Sequence, residues 1–370
     1  MTQNQIPIVS FHDFHRLAEQ NPNIVLETPL IVEGYISSWP EYHKWQDLKY
    51  LKKRFGNLQG FARAPNFITN RKSSLISVKT TFNQYMDYIN NPDDIGNIYS
   101  GQWINGDADK LAETGLPLYC GNMKIVHHAN DSVFKELDPL LPAPLRSWNH
   151  ALPYYYSLYN HFWLLASLPG ALTPLHIDNN GTIATIAQLK GKKRVTLFAP
   201  DDLCYVHNPD VGFLDPLQPD EGDFPNWRRA VKWVADLNVD QVLFVGTNWS
   251  HHVETLETSI SVSLDYVDQS NLDAYASSTD WASVLGDHAK SSPDLFVERT
   301  KGEVSNEKIR ELPSYAVGRD IMAYILGATS ANPQDSEIAR IRGLYLDHIQ
   351  RCTSEPSNSK SEMLVSNLAG

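Results

Sequence analysis

Cysteine is scarce in this chain: Cys120, Cys204 and Cys352 are the only three among 370 residues, odd in number and far apart. That spacing argues against a disulfide framework and against a cysteine-ligated zinc site. Basic charge is also in deficit, with 31 lysines and arginines against 43 aspartates and glutamates, a net charge of −12. Phosphate repulsion then opposes unassisted binding to a nucleic acid, and no basic patch stands out to offset it. No apolar run is long enough to span a membrane. The stretch Met1-Thr2-Gln3-Asn4-Gln5-Ile6-Pro7 lacks the basic and apolar regions of a secretory signal. A cytoplasmic location is therefore expected, with neither nucleic acid nor membrane as a partner. Internal repeats and low-complexity runs are missing too. What is present, 42% hydrophobic residues in 370, suffices to bury a barrel and an additional helical region.

His176-Ile177-Asp178 is the most informative triplet. A histidine and a carboxylate two apart on a strand leave from one face and can hold two cis positions of one metal ion. A third ligand is offered by Trp249-Ser250-His251-His252-Val253, which follows the strand-like run Gln241-Val242-Leu243-Phe244-Val245. Two histidines and one carboxylate form the facial triad of non-haem iron oxygenases, which leaves three metal positions for a bidentate 2-oxo acid and dioxygen. Alone, a His-x-Asp triplet is more often structural than metal-binding. Its surroundings are more specific, because Gln188-Leu189-Lys190-Gly191-Lys192-Lys193-Arg194-Val195-Thr196-Leu197-Phe198-Ala199-Pro200 follows at short distance.

Thr173-Pro174-Leu175-His176-Ile177-Asp178, then Gly191-Lys192-Lys193-Arg194 and an apolar strand ending in Pro200, resembles the JmjC or cupin-8 group of iron- and 2-oxoglutarate-dependent oxygenases. Leu243, Trp249, His251 and Val253 match that family's third-ligand strand, whereas Asp240, Gln241 and Gly246 replace its usual Gly-Asp and proline. Pro29 to Tyr35, Trp39-Pro40 and Trp45 to Gly56 resemble its first strand and helix, with Leu48, Leu51 and Phe55 at helical intervals. The resemblance implies Fe(II) held by His176, Asp178 and His251, and 2-oxoglutarate held by Thr173, Lys193 and Tyr119, with dioxygen as the other cosubstrate. His252 is the rival of His251. Adjacent strand residues face opposite sides, so only one reaches the metal, and the family spacing from Trp249 selects His251.

The implied fold is mainly β with flanking helices: a double-stranded β-helix (jelly-roll, cupin/JmjC) core plus a C-terminal helical region. Residues 1–150 read as a mixed α/β part, 151–270 as the core with the metal site, 271–352 as helical and 353–370 as a flexible tail. Tyr315 to Leu326 and Ile338 to Ile349 carry apolar faces that predict a homodimer. Residues 208–225, rich in Pro, Gly and Asp, predict a long loop, which in the family lies near the substrate mouth. The leading expectation is a hydroxylase acting on a C–H bond of an amino acid, peptide, protein side chain or small metabolite, releasing succinate and CO2. A non-catalytic cupin that binds a ligand is the alternative. Retention of Asp178 disfavours halogenation, and three scattered cysteines cannot build the zinc modules of the larger demethylases.

Overall fold

Both histidine motifs lie in or beside strands, Leu172–His176 and Ser250–Thr255, and the neighbouring runs Ile183–Lys190 and Gln241–Val245 are rich in β-branched residues. The computed structural model describes residues 2–21, 23–64, 76–92, 103–115, 117–125, 136–137, 162–178, 181–266 and 271. The expected C-terminal helices and tail lie outside the described residues. In chain order the first strands are β1 (Thr2–Gln5), β2 (Ile8–Ser10), β3 (Leu30–Glu33), β4 (Gln59–Arg63), β5 (Ser77–Thr81) and β6 (Trp103–Asn105). Then come β7 (Tyr119–Lys124), β8 (Phe162–Ser167), β9 (Leu172–His176), β10 (Ile183–Lys190) and β11 (Lys193–Phe198). The remainder are β12 (His207–Asn208), β13 (Gly212–Phe213), β14 (Val231–Leu237), β15 (Gln241–Val245), β16 (Ser250–Thr255) and β17 (Ser259–Tyr266).

Two sheets carry almost all of them. One has the order β1-β14-β11-β16-β9, and the other runs β2-β3-β15-β10-β17-β8-β7-β4-β5-β6. This is the cupin/JmjC jelly roll, mainly β with helices at its flank. The N-terminal segment is woven into it, since β1 pairs parallel with β14 and β3 pairs antiparallel with β15. Between the sheets lie Ile31, Ile186, Val195, Leu197, Leu237 and Leu243, all buried. Each such side chain contributes about 1.5–3 kcal/mol on burial. Among the described residues no helix is long and apolar enough to cross a membrane.

The helices are short and capped. Helix α1 (Phe11–Gln20) is capped by Ser10, whose hydroxyl accepts from the Asp13 amide; helices α2 (Ile24–Glu27) and α3 (Tyr42–Gln46) are single turns. Helix α4 (Leu48–Phe55) is capped by Asp47 and buries Leu51 and Phe55, as their spacing predicts. Trp39, Trp45 and Phe55 stack in sequence at 5.2 and 5.1 Å between ring centroids. Arg54 and the lysines beside it fall in the last turn of α4, where the helix dipole favours cations.

The 208–225 segment is not a bare loop. Its first residues pair back, β13 against β12, which begins at His207, and side chains of Asn208, Asp215 and Asp220 close its turns by accepting from backbone amides. Leu214 and Phe224 anchor it to Leu175 and Phe198 in a second apolar cluster. Phe198 and Thr196 share the face of β11 opposite to Val195 and Leu197, so this cluster covers the outer side of the five-stranded sheet. The segment therefore braces the strand that carries His176 from behind.

The second compact unit comprises residues 129–161, 179–182 and 266–370. Within it, the Asn271 amide donates to the carbonyls of Gly181 at 3.0 Å and Tyr266 at 3.2 Å.

Candidate metal centre and inner polar face

His176 and His251 are direct partners in the β9–β16 ladder, with ring centroids 4.1 Å apart. Strand β9 stops at His176, so Asp178 approaches from just beyond the strand end rather than from the strand itself. Its two carboxylate oxygens still lie 3.5 Å from His176 Nε2 and 3.6 Å from His251 Nε2. One ligand atom from each residue falls within 4.8 Å of the others. Among the described residues this is the one group of three or more potential ligands so arranged.

The other imidazole nitrogens are occupied. His176 Nδ1 lies 2.6 Å from the Pro174 carbonyl and His251 Nδ1 lies 3.3 Å from that of Trp249. Donation from Nδ1–H to those carbonyls leaves each Nε2 lone pair aimed at the shared centre, the usual way a fold orients histidine ligands. Burial works against the charged form of His176, but the hydrogen bond and charge of Asp178 outweigh it and raise the imidazole. Burial likewise pushes the Asp178 carboxyl up, yet the two imidazoles pull harder and hold it at about 2. His251 is lowered to about 4, by burial first and then by His176. An ionised carboxylate beside a neutral imidazole is the donor set a divalent cation requires, so the three residues fit such an ion.

His252 turns away. It faces Thr196 on the outer side of the sheet, buried, with Nε2 lacking a hydrogen-bond partner among the described residues. Burial lowers its imidazole to about 4, against a nearby Asp215 that acts to raise it. Alternation along β16 thus separates the two adjacent histidines.

Lys193, Val195 and Leu197 oppose Thr255, Val253 and His251 across the β11–β16 ladder, and Thr173 opposes Val253 from β9. Direct partners share a face, so Lys193 and Thr173 face the same interior as His251. Lys193 is 1% exposed and forms no hydrogen bond or ion pair with any described residue. Burial alone lowers its ammonium to about 7. Its neighbours Lys192 and Arg194 turn outward and share Asp236 at 2.8 and 2.9 Å. The turn that reverses the chain before Lys193 needs Gly191, at φ +71°, where a Cβ would stand 2.2 Å from the Thr258 carbonyl oxygen.

Tyr119 hydrogen-bonds through its hydroxyl to the Thr173 side chain. Burial is the main cause that pushes its phenol up to about 12, so it remains a neutral donor. Its ring lies over Gly121, whose Cβ, if it had one, would stand 2.2 Å from a ring carbon. The departures from the family pattern acquire reasons as well. Asp240 adopts φ +70°, the left-handed region in which glycine is natural, and its carboxylate accepts from the Ser37 amide at 2.6 Å. Gly246 packs so closely on α2 that a Cβ would meet the Val25 carbonyl oxygen at 2.5 Å.

Sequence reasoning missed Arg63 and the hydroxyl pair Ser167–Thr255, 2.8 Å apart and buried. Arg63 is the cross-strand partner of Tyr119 in the β4–β7 ladder. No local signal announces it, because its position depends on pairing between strands more than fifty residues apart.

A jelly roll with two histidines and a carboxylate converging at one strand end defines a cupin-type protein with a candidate metal centre. The chain belongs to the cupin-8, JmjC-type family: residues 18–271 match the family described as Cupin-like domain. It is 25% identical over 267 residues to JmjC domain-containing protein D of Dictyostelium discoideum, covering 66% of this chain and 52% of that one. It is 32% identical over 104 residues to human HSPB1-associated protein 1, covering 26% and 21% of the two chains. To the Arabidopsis thaliana arginine-specific demethylase JMJ22 it is 24% identical over 274 residues, covering 71% and 46%. The chain thus spans about half or less of the length of these curated relatives. Family and relatives put it in the 2-oxoglutarate oxygenase superfamily.

Proposed function

We propose that the protein is an Fe(II)- and 2-oxoglutarate-dependent hydroxylase acting on a C–H bond of an amino acid, peptide, protein side chain or small metabolite. The observation that carries this reading is Lys193: a buried ammonium, unpaired among the described residues, on the same inner face as His251 and Thr173. Burying an unpaired charge is costly, so a site that retains one is built to receive an anion. A protein that only bound an apolar ligand would have no need of it.

His176, Asp178 and His251 would hold the iron, which when bound supplies, with 2-oxoglutarate and dioxygen, the oxidising chemistry. Lys193 pairs with the distal carboxylate of 2-oxoglutarate. Tyr119, neutral at any physiological pH, donates toward the same region and is held in place by Thr173. The Pro174 and Trp249 carbonyls keep both ligand imidazoles in one tautomer. The apolar residues Val195, Leu197 and Val253 line the same face and exclude water from the charged contacts, which strengthens them. The demethylase name of the Arabidopsis thaliana relative does not oppose this reading, because removal of an N-methyl group can begin with hydroxylation of its C–H bond.

The test is turnover. Purified protein with Fe(II), ascorbate and 2-oxoglutarate should release succinate, faster when a substrate is present, and Lys193→Ala should lose that release at cosubstrate concentrations that saturate the wild type. Tight metal binding without any succinate formation would favour the non-catalytic cupin.

A further inference from the structure

Arg63 ends β4 beside the candidate site and makes no hydrogen bond or ion pair with any described residue. Its Nε is buried without an acceptor among the described residues, and its guanidinium carbon lies 6.0 Å from the centre of the Phe61 ring. Cross-strand pairing sets it between Tyr119 on β7 and the buried Ser77 on β5, all three on one face of the ten-stranded sheet. Tyr119 in turn reaches Thr173, which shares a face with His176. Burial depresses the arginine, and the neighbouring Cys120 and Tyr119 act in the opposite direction without offsetting it. A guanidinium stays charged at any ordinary pH, so this cation has no counter-ion among the described residues.

Two cations at inward-facing strand positions therefore lack a partner among the described residues, the buried Lys193 on the five-stranded sheet and the half-buried Arg63 on the ten-stranded one. 2-Oxoglutarate has two carboxylates. On the hydroxylase reading, one is taken up beside the metal with the 2-oxo group and the other by Lys193, which leaves nothing for Arg63. In a chain of net charge −12 an anionic substrate is repelled at long range, so its capture requires a fixed local cation. A planar, five-donor fork is the group suited to a carboxylate held in one orientation.

We propose that Arg63 anchors a carboxylate of the substrate, so that the substrate class is carboxylate-bearing: a free acid or an acidic side chain of a peptide. This rests on the hydroxylase reading for the word substrate, but the anion site itself does not. Arginine Nε–Hε resonances of the full-length protein, loaded with Zn(II) and saturated with 2-oxoglutarate, provide the test. The Arg63 signal is assigned by its disappearance in Arg63→Lys. Acetate should shift it saturably and acetamide should not. Arg63→Gln should weaken acetate binding roughly tenfold or more while leaving 2-oxoglutarate affinity unchanged. Comparison of N-acetylglycine with a capped tripeptide bearing a central aspartate then separates the sources, the tighter ligand identifying free acid or acidic side chain. If the Arg63 signal moves on addition of 2-oxoglutarate and no longer responds to acetate, the residue belongs to the cosubstrate and the proposal is overturned. Absence of any saturable acetate response overturns it equally, leaving a structural cation. A wild type that fails to bind 2-oxoglutarate yet still shows the acetate response would remove the hydroxylase reading and keep the anion site.

Discussion

Thr173 and His176, three residues apart on β9, face the same side of the sheet because the ladder shifts between them: His251 opposes His176, and Val253, two residues on, opposes Thr173. Simple alternation would put them on opposite faces. The extra residue falls at Pro174-Leu175, where a bulge tolerates a proline that cannot donate to the ladder. Leu175 is thereby turned outward into the apolar cluster under the 208–225 segment.

From this relationship follows a prediction for the Tyr119–Thr173 contact. Thr173→Val keeps shape and removes the hydroxyl, leaving Tyr119 without its partner, so 2-oxoglutarate affinity should fall by about 1 kcal/mol, roughly fivefold. Gly121→Ala should do the same without touching either residue, since the new methyl displaces the Tyr119 ring. Calorimetric titration of the Mn(II)-loaded proteins measures both; an unchanged affinity in Gly121→Ala would show that the ring position is irrelevant to the cosubstrate.

Metal binding should depend on three residues unequally placed. His176→Ala, Asp178→Ala and His251→Ala each remove one of three protein donors and should abolish Mn(II) binding by electron paramagnetic resonance titration. His252→Ala should leave it intact, because that imidazole faces the outer layer. The reverse pattern, with His252 required and His251 dispensable, would overturn the assignment.

The depressed Lys193 ammonium sets a pH dependence. Its folded value of about 7 lies below the ordinary lysine value of 10.5. In the unliganded protein the unfolded chain therefore binds the extra proton between these values, and stability rises with pH across that window. A dianionic ligand reverses the preference by pairing with the charged form. Binding of 2-oxoglutarate then takes up a proton above pH 7, and its affinity should fall with rising pH by at most about tenfold per unit. Lys193→Met should flatten the profile along with weakening binding. A wild-type affinity constant from pH 7 to 9 would show that Lys193 does not meet the cosubstrate.

Asp240 provides a test of local backbone chemistry. Asp240→Ala loses the carboxylate that accepts from Ser37 and keeps a Cβ in the left-handed region, so unfolding in urea should show a loss of about 1–2 kcal/mol. Asp240→Gly relieves the backbone while losing the same hydrogen bond and should lie closer to wild type. Equal losses in the two variants would mean that the carboxylate alone matters.

That His176, Asp178 and one histidine of the 251–252 pair could come together was legible from the residues themselves. His-x-Asp at short range is a local pattern, and the two-residue period of a strand allows only one of His251 and His252 to turn toward it, the resemblance to the family selecting His251 by its spacing from Trp249. The Gly191 turn and the outward fate of Lys192 and Arg194 rest on the same local rules. The jelly-roll class was legible through resemblance, and residues 18–271 bear it out. Tertiary structure decided the rest. The bulge that brings Thr173 beside His176 depends on how β9 pairs with β16, and no count along the chain contains it. Gly121 matters only because a ring folds back over it, and Gly246 only because α2 approaches it. Arg63 reads as an ordinary strand-end cation until β4 is laid against β7. Local periodicity specifies which way a side chain points relative to its own strand, whereas a binding face is assembled from several strands. Which residues share that face is set by register, a property of pairs of segments distant in the chain.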